Sequence, residues 1–149
     1  MAILVTGGTG YIGSHPCVEL IKAGYEPVIV DDLSNSKADV VDKIETITGK
    51  RPKFYQAGVQ DADAMRKVFT ENKIDAVIHF AAFKAVGESV KFPLKYYRNN
   101  ISGTVSLCEI MNEFGCKRIV FSSSATVYGA PKSVPIREDF PLHTTNPYG

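Results

Sequence analysis

The chain is predicted to fold as an α/β protein, a parallel sheet wrapped on both sides by helices. Three observations point there. The stretch Thr6-Gly7-Gly8-Thr9-Gly10-Tyr11-Ile12-Gly13 lies between an apolar run, Ile3-Leu4-Val5, and a segment with Cys17, Val18, Leu20 and Ile21 at helical spacing. Pro27-Val28-Ile29-Val30 and Ala76-Val77-Ile78-His79-Phe80-Ala81 are short and almost wholly apolar, as strands buried on both faces are. Strands then alternate with amphipathic segments, which calls for βαβ units with right-handed crossovers. Together these specify a doubly wound, Rossmann-type parallel sheet of strand order 3-2-1-4-5, with its ligand crevice at the carboxyl ends of strands 1 and 2.

Each element has its own warrant. A helix over about Tyr11 to Ala23 ends at Gly24, a residue suited to a left-handed cap. Pro16 lies inside it, and a proline there removes an N–H, so the expectation is a kink near Ile12–Pro16 or a lost bond to the Ile12 carbonyl. The second strand, Pro27–Val30, ends at Asp31-Asp32. Asn35-Ser36 can cap a helix carrying Val40, Val41, Ile44 and Ile47, which Gly49-Lys50-Arg51-Pro52 breaks. Phe54-Tyr55-Gln56-Ala57 reads as the third strand. Asp61 caps a helix with Ala64, Met65, Val68 and Phe69, and Ala76–Ala81 is the fourth strand, with His79 a hydrogen-bonded core residue. Pro93 opens a longer helix to about Phe114, with Tyr97, Ile101, Val105, Cys108 and Met111 on or near one face. Asn99 and Asn100 are poor helix formers in the middle of that helix, and a polar pair there suggests a task. Arg118-Ile119-Val120-Phe121-Ser122 is the fifth strand, and the remainder reads as loop.

Bulk properties narrow the function. With 149 residues, 44% hydrophobic and 22% charged, the chain is one domain of ordinary globular composition. A net charge of +1 gives no electrostatic case for nucleic acid or an anionic membrane. No apolar run approaches the ~20 residues of a membrane span, and Met1-Ala2 runs straight into a strand without room for a signal peptide. Cys17, Cys108 and Cys116 form no metal-like spacing and sit among apolar neighbours; they read as buried free thiols in a reducing, cytoplasmic setting.

The glycine stretch carries the chemistry. Gly8-x-Gly10-x-x-Gly13 fits the spacing of dinucleotide-binding turns, and Gly7-x-x-Gly10-x-x-Gly13 fits a related variant. A glycine at Gly7 or Gly8 lets the chain reverse with positive φ, Gly10 allows close approach to a pyrophosphate, and Gly13 packs the helix on the strand. The helix N-terminus then offers N–H groups to the phosphates. Asp31, at the end of strand 2, is where a carboxylate would bind the ribose 2′-hydroxyl, and no arginine adjoins it to favour a 2′-phosphate, so NAD is expected over NADP.

Three further stretches carry a resemblance: Phe80-Ala81-Ala82-Phe83-Lys84-Ala85-Val86-Gly87-Glu88-Ser89, Ser122-Ser123-Ser124-Ala125-Thr126-Val127-Tyr128-Gly129 and Asn146-Pro147-Tyr148-Gly149. With Thr6–His15 and Asp31–Ser36, they resemble the UDP-glucose 4-epimerase family, extended short-chain dehydrogenases/reductases. The resemblance implies an isomerase of galactose and nucleotide-sugar metabolism, holding NAD and interconverting UDP-galactose and UDP-glucose by removing and returning hydride at C4. It implies that residues 1–149 are the incomplete NAD-binding domain, with the substrate domain absent, and a homodimer in the full-length enzyme that shares helices 4 and 5. It assigns Tyr148 as the base at the C4 hydroxyl and Ser124 as its hydrogen-bonding partner, with Lys84 also on the substrate. Along the cofactor it places Gly7, Gly10, Tyr11, Ile12, Gly13, Asp31, Asp32, Asn35, Ser36, Gly58, Val59, Phe80, Ala81, Ala82, Lys84, Asn99, Ser122 and Tyr148. No metal is implied.

Departures from the family pattern are specific. Tyrosine serves as a base near neutrality when a lysine ammonium lies beside it. The signature lysine falls at position 152, past residue 149, so this chain by itself is expected to be inactive. Pro16 replaces a usual threonine, Gly58-Val59 an Asp-Ile pair that meets the adenine, and Ala82-Phe83 a Gly-Leu pair. Two other readings compete. A nucleotide-sugar 4,6-dehydratase needs an Asp-Glu pair after the strand 5 serines and threonine, where Thr126 is followed by Val127. A non-catalytic NAD-binding regulator on the same fold would lack the tyrosine–lysine pair.

Overall fold

A computed structural model describes all of residues 1–149. Five parallel strands are laid out in the order β3-β2-β1-β4-β5: β1 (Ala2–Thr6), β2 (Glu26–Asp31), β3 (Lys53–Gln56), β4 (Ile74–His79) and β5 (Ile119–Phe121). The expected order is the one observed. Leu4 pairs with Val28 on one side and Val77 on the other, so β1 sits at the centre.

The side-chain period of 2 sorts the central strands onto two cores. Leu4, Val28, Val30 and Val77 point to one face, under α3 (Ala62–Glu71) and α6 (Gly103–Glu113), with Met65, Val68, Leu107 and Ile110 closing over them. Ile3, Val5 and Ile29 point to the other face, under α1 (Tyr11–Lys22) and α2 (Asp39–Thr48), where Cys17, Ile21 and Ile44 cover them. Burial of each such aliphatic side chain is worth ~1.5–3 kcal/mol, so the pairing register is strongly specified.

Helix ends follow local chemistry. Asp61 caps α3 by accepting from the Ala64 N–H at 3.0 Å, as the sequence suggests. α1 ends one residue before Ala23, and Gly24 beyond it takes φ +83°. α1 is unbroken through Pro16; the Ile12 carbonyl loses its usual donor, at a turn where Ile12 is exposed. α2 corrects the expected start. It begins at Asp39 with Ala38 at its cap position, because the Ser36 hydroxyl is bonded to Asp31 instead.

The segment after β4 is more divided than its periodicity predicts. A short helix, α4 (Val86–Lys91), precedes α5 (Pro93–Tyr96), a π-helical turn (Tyr97–Ser102) and α6, with Asn99 and Asn100 inside the wide turn. Tyr96, Leu107, Ile110 and Met111 face the core. On the predicted stripe only Met111 is buried: Tyr97, Ile101 and Val105 are exposed, and Cys108 is an exposed thiol rather than a buried one. Cys17 and Cys116 are buried as expected, and burial pushes the Cys17 thiol up to about 12. After β5 comes a short 3₁₀ turn (Ala125–Tyr128). No helix is long and apolar enough to cross a membrane.

Candidate functional site

A single cleft runs along the carboxyl ends of the strands. Its floor is the turn between β1 and α1. Gly7 reverses the chain with φ +70°, and a Cβ there would come within 2.9 Å of the Ala81 nitrogen, so the turn is pressed against the chain leaving β4. A Cβ at Gly13 would overlap the Gly7 carbonyl oxygen, so only glycine lets α1 close onto this turn. Gly10 stands at the α1 cap position with no side chain to satisfy the first N–H groups of the helix, and the first turn carries no acid. That leaves a partial positive charge facing the cleft, suited to an anion.

At the end of β2, Asp31 is 9% exposed and held in one orientation. Its Oδ2 accepts from the Thr9 N–H at 3.1 Å, and its Oδ1 from the Leu33 N–H at 3.0 Å and the Ser36 hydroxyl at 2.9 Å. Ser36 also meets the Thr9 hydroxyl at 2.8 Å, tying the second loop to the glycine turn. A carboxylate has about four lone-pair sites, so the position left open lies on Oδ2. Leu33 adopts φ +61°, a conformation uncommon outside glycine, at the bend of this loop.

The loop after β4 is held by the asparagine pair. The Asn100 amide accepts from the Phe83 N–H at 2.9 Å and donates to the Phe83 carbonyl at 2.8 Å, and Asn99 Nδ2 donates to Asn100 Oδ1 at 2.9 Å. Beneath them lies a relay from β1 to the wide helical turn. Thr104 donates to the Asn100 carbonyl at 2.6 Å and meets His79 Nε2 at 3.1 Å; His79 Nδ1 meets the Thr6 hydroxyl at 2.6 Å. With the Thr104 proton committed to Asn100, Nε2 carries the His79 proton and Nδ1 accepts from Thr6. His79 is 2% exposed, and burial lowers its pKa to about 4, so it is a neutral structural bridge.

At the far end, Ser122, Ser123 and Tyr148 line the cleft beyond β5. Ser124 does not line it. Its Oγ accepts from the Thr126 N–H at 3.2 Å and meets the Thr126 hydroxyl at 2.8 Å, which caps the 3₁₀ turn. The Tyr148 backbone is fixed by Asn146, whose Oδ1 accepts its N–H at 3.0 Å.

The cleft gathers all the residues expected along a cofactor: Gly7, Gly10, Tyr11, Ile12 and Gly13 from the first turn, Asp31, Asp32, Asn35 and Ser36 from the second, Gly58 and Val59 after β3, Phe80, Ala81, Ala82 and Lys84 after β4, and Asn99, Ser122 and Tyr148. Val30, Ser34, Ala57, Gln60, Phe83 and Ser123 line it as well. Their signal was positional, since each lies within a few residues of a strand's carboxyl end. A dinucleotide fits this donor set: backbone N–H groups at mid-cleft, a fixed carboxylate on one side, and the Lys84 ammonium on the other.

Residues 4–149 match the family model described as GDP-mannose 4,6 dehydratase. The chain is 63% identical over 149 residues to a UDP-glucose 4-epimerase of Bacillus subtilis (strain 168), covering 100% of this chain and 44% of that protein. It is 57% identical over 147 residues to one of Dictyostelium discoideum, covering 99% of this chain and 43% of that one. The chain thus spans less than half the length of these relatives. The structure of a Bifidobacterium longum UDP-glucose 4-epimerase in complex with NAD+ and UDP superimposes with a TM-score of 0.97 at 50% identity, over 99% of this chain and 44% of that one. A Stenotrophomonas maltophila UDP-glucose-4-epimerase with bound NAD and formylated UDP-arabinopyranose gives 0.96 at 51%, over 99% and 44%. The chain therefore belongs to the extended short-chain dehydrogenase/reductase family that the dehydratase model describes, on the branch where its UDP-glucose 4-epimerase relatives lie.

Proposed function

We propose that residues 1–149 are the NAD-binding domain of a cytoplasmic UDP-glucose 4-epimerase, working with a substrate-binding domain of the kind its longer relatives have room for. The observation that carries this reading is the meeting, in one cleft, of the glycine turn, Asp31, Lys84 and Tyr148. Asp31 keeps one oxygen position for a ribose hydroxyl and repels a 2′-phosphate, so NAD is bound and NADP is not. The α1 N-terminus takes the pyrophosphate. Bound NAD supplies hydride acceptance and return at C4 of the sugar. Tyr148 takes and returns the proton of the C4 hydroxyl, with Lys84 on the substrate side. For Ser124 to share that hydroxyl, its Oγ must leave Thr126. The exposed stripe of Tyr97, Ile101 and Val105 offers a second copy an apolar face, in keeping with a homodimer.

A dehydratase, which the family model's description names, would need an acid and a base just after the β5 serines. Thr126-Val127-Tyr128 supplies neither carboxylate. A non-catalytic NAD-binding regulator on the same fold would lack the tyrosine–lysine pair, and Tyr148 in the cleft wall argues against it. A coupled assay for UDP-glucose formed from UDP-galactose, with NAD supplied, tests the reading. The longer protein turns over; Tyr148→Phe lowers kcat ~100-fold or more while NAD still binds, in the range for losing a general base. Residues 1–149 alone bind NAD and give no turnover. Full activity in Tyr148→Phe, or clear turnover by residues 1–149, contradicts it.

A further inference from the structure

Lys84 is the one cation lining the cleft, and its ammonium has no partner within the chain. An anion stands close by. Glu88 lies four residues on, in the first turn of α4, and Tyr96 ties it to the Lys84 loop. The Tyr96 hydroxyl donates to Glu88 Oε2 at 2.7 Å and accepts from the Ala85 N–H, the peptide nitrogen next to Lys84, at 3.1 Å. Two hydrogen bonds therefore separate the carboxylate from the Lys84 backbone, a span that a lysine side chain covers. The carboxylate is turned the other way. Its Oε1 accepts from Lys95 Nζ at 2.6 Å, and that ammonium also sits 4.9 Å from the centre of the Phe83 ring. The hydrogen bonds from Lys95 and Tyr96 hold the Glu88 carboxyl below its ordinary range, so it is a full anion. Tyr96 is 1% exposed; burial, then the bond to Glu88, push its phenol up, so it stays a donor. Asn100 holds the Phe83 carbonyl and Tyr96 the Ala85 N–H, so the peptide groups before and after Lys84 are both fixed. Only its side chain is free to turn.

We propose that Tyr96, with Lys95 behind it, is a positioning residue for Lys84: it holds the Glu88 carboxylate toward α5, so that the Lys84 ammonium stays free for the ligand in the cleft. The inference rests on the assignment of Lys84 to cofactor and substrate. Opposite charges this close pair unless one is held elsewhere. The Lys95–Glu88 pair is itself half exposed, and such pairs are weak, so Lys95 and Lys84 compete for the carboxylate on similar terms. The buried phenol decides between them, because a hydrogen bond to an ionised acceptor is strong and directional. The Phe83 ring, 5.7 Å from that of Tyr96, keeps Lys95 on the same side.

The test is a double-mutant cycle on NAD binding, measured by calorimetric titration into the 149-residue chain. Tyr96→Phe keeps the ring and the net charge but releases Glu88, and it raises the NAD dissociation constant about threefold, as expected when an exposed ion pair must first be broken. In a Glu88→Gln background, where no carboxylate is left to capture Lys84, the same Tyr96→Phe change has no effect. It has none in a Lys84→Met background either. General damage to the fold would weaken binding in all three backgrounds. A crystal structure of Tyr96→Phe gives a second readout that needs no ligand: the Glu88 carboxylate lies within about 4 Å of Lys84 Nζ, the reach of an ion pair. Unchanged affinity in Tyr96→Phe, a loss that persists with Glu88→Gln, or a Glu88 carboxylate still turned to Lys95 in that crystal structure overturns the proposal. If Lys84→Met alone binds NAD as tightly as the native chain, the assignment of Lys84 to the cofactor fails, and the crystal structure still decides whether Tyr96 holds Glu88 away.

Discussion

The two ends of the cleft are built differently. At the Asp31 end, β1 and β2 are central strands, and Leu4, Val5, Ile29 and Val30 are fully buried. Three donors hold one carboxylate, and a hydroxyl pair locks the two loops together. At the Tyr148 end, β5 is an edge strand whose three residues are all exposed, Val120 by 63%, and no residue after Cys116 is buried. Within residues 1–149, the groups around the glycine turn and Asp31 are therefore fixed by the core, while Ser122, Ser123 and Tyr148 stand on segments with no buried residue.

Core substitutions sharpen that contrast most. Leu4→Ala, at the centre of the larger core, is expected to cost ~2–5 kcal/mol in chemical denaturation, whereas Val120→Ala should change stability by under ~0.5 kcal/mol. Comparable losses at both sites would break the comparison. The next effect is smaller and depends on pH. Burial lowers the His79 pKa from its ordinary 6.5 to about 4, so between these values the unfolded chain binds a proton that the folded chain does not. Stability contributed by neutral His79 is thus complete above about 6.5 and falls as pH drops toward 4, by roughly 3 kcal/mol at ~1.4 kcal/mol per unit. His79→Asn should flatten that part of the stability–pH curve; an unchanged slope would show that His79 is not the group responsible.

Sequence legibility follows the same division. The strands of the binding end were readable because Val28, Ile29 and Val30 leave no doubt about burial on two faces, and Asp31 stands where that run stops. Ser36 reads as a helix cap in sequence, but a hydroxyl that can bond an N–H can equally donate to a carboxylate five residues back, and here it does. The Asn100 clamp could not be seen, since its partner is the Phe83 backbone, 17 residues away and in a loop. The helix from Pro93 is apolar on two sides. Its periodicity puts Val105 and Cys108 on the same stripe as Met111 without saying which side meets the sheet, and only Met111 is buried. Ser124 shows a different gap: a motif places a residue near a site, and a local bond to Thr126 decides where its oxygen points.

The central claim is that the Asp31 end of the cleft is a complete NAD-selective site within residues 1–149. Calorimetric titration of NAD and NADP into this chain, with Asp31→Ala alongside, tests it most directly. The account predicts saturable binding of one NAD per chain, much weaker binding of NADP, and a loss of ~1–3 kcal/mol of NAD affinity in Asp31→Ala, the range for a hydrogen bond to a charged group. Equal affinities for the two dinucleotides, or an Asp31→Ala chain that binds NAD as tightly as the native one, would contradict it.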